Sequence, residues 1–170
     1  MACTTTVKAD ITSTLTKSLD LSTPTDRVPI AESDAFTNGT GAGKVAKHWS
    51  DSRSFGTGGS EQIDLQDLTD AFGDDLTFDK VRVLYVKNNS TEESLYVGAP
   101  SLNFFDALFG AASDKIIIPP GGFILLSCGT SDASGWDVPT LPDVDSQIEI
   151  GEETAVGTLG VQYDIFIAGE

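Results

Sequence analysis

The sequence is short of the residues that most enzymes and metalloproteins use for chemistry. Its 170 residues include one histidine (His48), two cysteines (Cys3 and Cys128) and one methionine. Two cysteines without metal-ligand spacing favour one buried and one free thiol over a disulfide framework. A Ser-His-Asp triad would have to use His48, which lies near Ser50, Asp51 and Ser52, but no G-x-S-x-G elbow accompanies it. A structural role for His48 beside Trp49 is therefore expected.

Basic residues and long apolar runs are also scarce. The chain has 10 Lys and Arg residues and 26 Asp and Glu residues, so its formal net charge is -16. A phosphate backbone requires clustered basic residues, which argues against a nucleic-acid partner. No run approaches the roughly 18 apolar residues that a membrane span needs. No charged-then-apolar N-terminus indicates a secretory signal, so synthesis in the cytoplasm is expected.

The first clear pattern is a long alternation near the N-terminus. Val7, Ala9, Ile11, Leu15, Leu19 and Leu21 share one parity, whereas Thr and Ser occupy much of the other. Period two is typical of a half-buried strand with one wet face. Residues 1–26 are thus predicted to form an N-terminal strand or arm. The arm either adds as a strand to a neighbouring molecule or forms an ordinary edge strand of its own domain.

Residues 27–170 are predicted to form one domain. Short strands are expected around residues 28–31, 45–55, 76–86, 94–98, 115–118, 123–127, 147–150 and 161–167, with 45–55 at an edge or an interface and 76–86 central. One helical turn is possible at Leu65–Phe72, and the strand at 94–98 is expected to form a hairpin with the central strand. Many short strands separated by turns predict an all-β fold, a β-sandwich of jelly-roll type.

Two further patterns suggest chemistry but lack its full requirements. Residues 39–44, GTGAGK, resemble a phosphate-binding loop, but the glycine spacing is one residue short and Val45 replaces the Ser or Thr that holds magnesium. Acidic pairs occur at 74–75, 143–145 and 152–153, and none matches a calcium loop. A weak surface cation site near residues 143–149 is left open. No catalytic, cofactor or metal residues are predicted.

A phenylalanine-rich stretch is the other candidate for interaction. Five large apolar residues crowd into eight positions: Leu102, Phe104, Phe105, Leu108 and Phe109. Such a group needs a cover. Either it plugs one end of the sandwich, or it forms a subunit contact. Together with Ile11, Leu15 and Leu19 of the arm, these residues are the candidate interaction set.

Several segments taken together resemble small structural proteins of tailed bacteriophages. They are LTDAFGDDLTFDKVRVLYVKNNS at residues 68–90, DKIIIPPGGFILLS at 114–127, Gly135-Trp136, and VQYDIFIAG at 161–169. The resemblance covers roughly residue 36 to the C-terminus. Its most distinctive parts are the lead-in to the central strand and the I-x-x-P-P-G-G turn.

The resemblance implies a non-enzymatic virion component, specifically a capsid decoration or cement protein. Such proteins bind the outside of the major capsid protein lattice, often as homotrimers, and carry no catalytic residues or cofactors. It places the protein on the virion surface after synthesis in the host bacterial cytoplasm. A tail, neck or fibre component is an alternative. So is a carbohydrate- or receptor-binding β-sandwich, for which Trp49 and Trp136 are the only indole candidates.

Overall fold

A computed structural model describes residues 2–131, 135–139, 145–153 and 160–170. More than half of the described residues are in β-strands and none is helical, so the protein is all-β as predicted, with fourteen strands in the described part of the chain. The fourteen strands are β1 (Thr5–Thr16), β2 (Thr25–Asn38), β3 (Lys44–Val45), β4 (Lys47–Phe55), β5 (Ser60–Asp64), β6 (Leu68–Thr69), β7 (Asp75–Leu76), β8 (Lys80–Asn88), β9 (Leu95–Gly98), β10 (Lys115–Ile118), β11 (Phe123–Ser127), β12 (Trp136–Asp137), β13 (Gln147–Glu152) and β14 (Val161–Gly169).

Two antiparallel sheets form the body. One has the order β10-β9-β13-β5, and the other has the order β11-β8-β14-β4, with β12 added beside β8. In the second sheet β14 pairs with β8 on one side and with β4 on the other. β4 is therefore an edge strand, which confirms the expectation for residues 45–55.

The core lies between these sheets, which gives the body a sandwich-like architecture. Alternate residues of the four-stranded sheet, including Val97, Ile148 and Ile150, cluster with Leu84, Val86, Ile165 and Ile167 of the other sheet, all at most 2% exposed. The alternation of the strands places every second side chain on this inner face. At roughly 25 cal/mol per Å² of buried apolar surface, this shared core is the main source of stability.

The strand predicted at residues 76–86 is central but begins later. β8 starts at Lys80, while Asp75–Leu76 pairs with Leu68–Thr69 in a separate two-stranded sheet. The helical turn predicted at Leu65–Phe72 was wrong, because Leu68 and Thr69 are part of this small hairpin. A spacing of three and four over so short a segment does not outweigh strand pairing.

The connection from β8 to β9 also differs from the expected hairpin. β9 pairs with β10 and β13 in the opposite sheet, so the chain crosses the sandwich between Asn88 and Leu95. Asn88, fully buried, supports this crossing because its side-chain amide donates to the carbonyl oxygens of Glu93 and Ile118 at 2.8 and 3.0 Å.

The phenylalanine-rich stretch plugs one end of the sandwich. Phe105 is fully buried and Phe109 is 4% exposed, while Phe104 and Leu108 pack partly buried against the same core. The Phe105 amide donates to the Gln147 carbonyl oxygen at 2.9 Å, which ties the loop to β13. These four residues are therefore not a free interaction surface, contrary to that alternative. Leu102 alone remains exposed, at 74%.

One edge of the sandwich is closed by a buried tyrosine. The Tyr163 hydroxyl donates to Glu61 Oε1 at 2.6 Å, and Glu61 also accepts from Arg53 Nη1 at 2.5 Å. Burial, and next the hydrogen bond to the Glu61 carboxylate, raise the pKa of Tyr163 well above its ordinary value of 10. The neutral phenol is thus the form that the fold holds.

The free energy of unfolding should consequently fall as the pH rises above roughly 10. The unfolded chain then releases the phenolic proton that the folded chain keeps, so this contribution is complete below that pH and is lost above it. Urea unfolding at several pH values between about 8 and 11 tests this. The Tyr163→Phe variant should show a shallower decline above pH 10 than the wild type. Equal slopes would show that Tyr163 does not govern the alkaline limit.

Candidate interaction surface

The first two strands form a hairpin that stands away from the body. β1 and β2 pair in register from Thr5↔Phe36 to Thr16↔Thr25, with residues 17–24 as the connection; we call residues 5–38 the arm. Every residue from 8 to 33 is exposed. At about 3.3 Å per residue, β1 beyond Lys8 is roughly 30 Å long. The alternation correctly predicted a strand. The expected half-burial was wrong beyond Val7, because no described part of the body covers the arm there.

The arm has one distinctly apolar face. Opposite residues of an antiparallel pair point to the same side, so Ile11 lies beside Ile30 on the face that also carries Val7. The apolar members of this face are Val7, Ala9, Ile11, Leu15, Val28 and Ile30, and Ser13, Asp26, Glu32 and Asp34 lie on it as well. Ile11 is 59% and Leu15 is 70% exposed. The opposite face carries threonines, Lys8, Asp10 and Arg27, so the hairpin is amphipathic although nothing described covers its apolar side.

The predicted interaction residues thus have different positions. Ile11 and Leu15 belong to the apolar face, whereas Leu19 lies in the connection at the tip, 49% exposed. The stretch at 102–109 is part of the body and is not brought together with them. Val28 and Ile30 complete the apolar face but were not predicted as interaction residues. Their membership depends on the pairing of β2 with β1, and only a prediction of that hairpin from the turn at Pro24 could have revealed it.

The end of the arm that carries Val7 and Phe36 packs on the outer face of the five-stranded sheet, and we call this end the root of the arm. A second small core there contains Cys3, Phe36, Val45, Val83 and Ala168, each at most 8% exposed. Hydrogen bonds reinforce it, since the Ser127 hydroxyl donates to Asp34 Oδ2 at 2.6 Å and the Cys3 amide donates to Asn38 Oδ1 at 2.8 Å. The root is therefore firmly attached to the body, although the rest of the arm is exposed.

A buried ion pair locks the root to the end of the sheet. Arg82, fully buried, donates through Nη2 to the Glu170 carboxylate and to the Gly41 carbonyl oxygen. The Gly41 amide in turn donates to Glu170 Oε1 at 3.0 Å. Burial acts to lower the pKa of Arg82, but the Glu170 carboxylate more than offsets it, so the pKa is raised and the guanidinium stays charged. The pair joins β8, the residues after β2 and the residue after β14.

This geometry explains the glycine-rich segment at residues 39–44. Gly41 has φ +97° and Gly43 has φ +66°, backbone conformations that side-chain-bearing residues rarely adopt. They turn β2 into β3, which pairs with it in parallel, and they bring the Gly41 backbone onto the Arg82–Glu170 pair. The GTGAG sequence thus serves a tight turn at the root of the arm.

A second apolar surface lies on the sheet next to the root. Tyr85, Phe123, Leu125 and Phe166 share the outer face of the five-stranded sheet; we call them the outer patch. Phe123 is 62% exposed and its ring lies 5.9 Å from that of Tyr85. A groove of about 280 Å³ separates the patch from the root, and its lining is Thr5, Thr6, Val7, Lys8, Val83, Tyr85, Leu125 and Phe166. The apolar face of the arm and the outer patch therefore meet at Val7.

The residues considered for chemistry have structural surroundings. His48 stacks on Phe166, and its Nδ1 lies 3.5 Å from Cys3 Sγ. Burial raises the pKa of Cys3, which disfavours the reactive thiolate. Nearby, Asp51 pairs with Arg53 and the Ser52 hydroxyl donates to Asp164. The two cysteines are both free, as expected.

In the described part of the chain, no group of three or more His, Cys, Asp or Glu side chains could hold a metal ion. Residue 143, part of the cation site left open above, lies outside the described residues. Among the residues that are described, no helix is long and apolar enough to cross a membrane.

Comparison with known proteins found no match. No protein-family model, curated protein or solved structure matches this chain.

Proposed function

We propose that this protein is a non-enzymatic structural component of a bacteriophage virion, a decoration or cement protein on the capsid surface. The observation that carries the proposal is the amphipathic arm, which is anchored firmly at its root and exposed along the rest of its length. A projecting hairpin with one apolar face is suited to hold a neighbouring molecule, since burying its side chains is favourable only when a partner covers them.

We further propose that the body is a jelly roll. The support is its strand order: eight strands form the sheets β4-β14-β8-β11 and β5-β13-β9-β10, and the chain changes sheet at each step except from β9 to β10, the arrangement that two Greek keys produce. Jelly rolls are common in viral capsid and lectin domains, so the fold agrees with a virion role. This agreement is by analogy, because a fold does not fix a function.

The charge and the sequence resemblance give further support. A net charge of -16 keeps separate copies in solution before assembly. The segments that resemble phage structural proteins form β8, β11 and β14, which adjoin in one sheet, and β10. The resemblance thus falls on connected parts of the body.

The carbohydrate-binding alternative loses its best aromatic candidate. Trp49 is 6% exposed and contacts the Arg53 guanidinium 5.3 Å from its ring, so it cannot stack on a sugar. Trp136 lies half-buried in β12 against the core. We therefore favour the capsid surface over a lectin role.

Binding to capsids tests the proposal directly. Purified protein should co-sediment with capsids of the encoding phage that lack it and should saturate at a fixed number of copies per capsid. Failure of the full-length chain to bind these capsids, while it binds tail or fibre preparations, would place it elsewhere in the virion. Failure to bind any particle would overturn the proposal.

A shortened arm should lower occupancy at a given protein concentration by about tenfold or more, because the exposed apolar contacts are lost. The suitable variant joins Ala9 to Glu32, which are paired in the hairpin, through an inserted Asn-Gly turn. It retains Val7 and Phe36 of the root, whereas deletion of residues 1–22 would remove Cys3 and Val7. Circular dichroism and thermal unfolding serve as the control for folding. Unchanged occupancy would show that the arm has no role in attachment.

A further inference from the structure

Two apolar surfaces that no described residue covers lie on the same chain and meet at the groove beside Val7. The apolar face of the arm is exposed from Ala9 to Ile30, and the outer patch exposes Phe123 beside Tyr85. We propose that the apolar face of one copy's arm lies on the outer patch of a second copy, in a closed ring that uses every arm and every patch. The inference names the arm's partner within the proposed function and to that extent rests on it.

The arm needs a cover to be stable. A two-stranded hairpin alone is marginally stable in water, and three strands or a packed face are usually required. Along residues 8–33 both faces of this hairpin are exposed. The chain's own patch contacts the arm only near Val7, because the residues that follow leave the sheet. No residue that the structure describes covers the arm beyond Val7, so we place its cover on another molecule.

The available area favours a second copy over an unrelated surface. A hairpin face roughly 30 Å long and 10 Å wide offers about 300 Å², so one arm on one surface buries about 600 Å² in total. That is the size of a weak contact. In a closed ring each copy contributes an arm and a patch; in a ring of two copies both contacts join the same pair and together bury on the order of 1,200 Å². This total lies within the range of specific interfaces.

Charged groups lie beside both surfaces. On the arm, Asp26 and Glu32 are on the same face as Ile30, opposite Leu15 and Ala9. On the outer face of the sheet, Lys87 is the register partner of Phe123 on one side and of Asp164 on the other, so its ammonium group lies next to the patch and next to one carboxylate. The contact would bring carboxylates of the arm toward Lys87. In a chain of net charge -16, such a pairing offsets part of the general repulsion between copies.

The oligomeric state in solution tests the inference without any capsid. Sedimentation equilibrium of the full chain between about 1 and 100 μM should give a mass of two or three copies. The Ile11→Asp/Ile30→Asp variant should raise the dissociation constant by roughly 100-fold or more. The matched control, Thr12→Asp/Ala31→Asp, places the same charges on the opposite face of the arm and should associate like the wild type.

The patch is tested by Phe123→Asp, which changes an exposed side chain and should also give monomers. An equimolar mixture of the Ile11→Asp/Ile30→Asp and Phe123→Asp proteins should then associate more strongly than either variant alone but more weakly than the wild type. The first keeps an intact patch and the second keeps an intact arm, so one of the two contacts is restored. Circular dichroism must show that each variant is folded.

Three results would overturn the inference: a monomeric wild type at 100 μM, continued association of the folded Phe123→Asp protein, or association that the control pair weakens as much as the arm pair. A monomer that still binds capsids would leave the proposed function intact. An oligomer of the expected kind that binds no capsid would support this inference and count against the proposed function.

Discussion

Replacing Arg82 by leucine should lower the free energy of unfolding by about 3–5 kcal/mol, the cost of breaking a buried ion pair by removing one partner. The Glu170 carboxylate, whose side chain is 10% exposed, would lose its cation. The Gly41 carbonyl oxygen would lose a donor at the same time. Urea unfolding followed by tryptophan fluorescence measures the change.

A double variant distinguishes the cost of an unpaired buried charge from the cost of lost side-chain packing. Arg82→Leu/Glu170→Leu should be more stable than Arg82→Leu alone, because no uncompensated charge remains. Lys80→Leu serves as a control, since the Lys80–Asp137 pair is exposed on its carboxylate side and should contribute about 1 kcal/mol or less. If Arg82→Leu changes stability no more than Lys80→Leu does, the Arg82–Glu170 pair does not hold the root of the arm.

The second large effect is expected at the end of the sandwich. Phe105→Ala should cost about 3–5 kcal/mol, because it deletes a fully buried ring from the main core and leaves a cavity. Leu102→Ala is the matched control in the same loop. Leu102 is 74% exposed, so its truncation should change the free energy of unfolding by less than about 0.5 kcal/mol.

Both variants should be compared by urea unfolding and by sedimentation. Phe105→Ala should retain the oligomeric state of the wild type under conditions where it is folded. A folded Phe105→Ala protein that has lost association, with stability unchanged, would show that this stretch is a subunit contact after all.

Local pattern was sufficient to predict most strands of the body. The strands at Lys115–Ile118 and Phe123–Ser127 follow directly from apolar runs bounded by Pro119-Pro120-Gly121-Gly122. Which strands pair with each other was harder to predict from the sequence. The central strand was expected to form a hairpin with β9, but β9 lies in the opposite sheet, where it pairs with β13, about fifty residues later in the chain. Sequence periodicity carries no information on such distant partners.

The interaction surface was also difficult to predict from local sequence patterns. An alternation such as Ile11 to Leu15 indicates that one face prefers an apolar environment, but not which molecule provides it. Conversely, the sequence left open whether Phe105 and Phe109 plug one end of the sandwich or form a subunit contact, and tertiary packing places both in the core. Phe123 belongs to a strand that was predicted from its apolar residues, yet its side chain is 62% exposed. Burial depends on neighbouring strands that the sequence does not name.

The position of β14 determines when the molecule can assemble during synthesis. β14 lies between β8 and β4, so the five-stranded sheet cannot close until this last strand has left the ribosome. The arm, by contrast, is built from the first two strands, so they can begin to pair early, although the hairpin is only marginally stable without a cover. Its apolar side chains are thus exposed on the nascent chain well before the outer patch exists. Threonines, Lys8, Asp10 and Arg27 on the other face, together with Pro29 within β2, limit premature strand pairing during that interval.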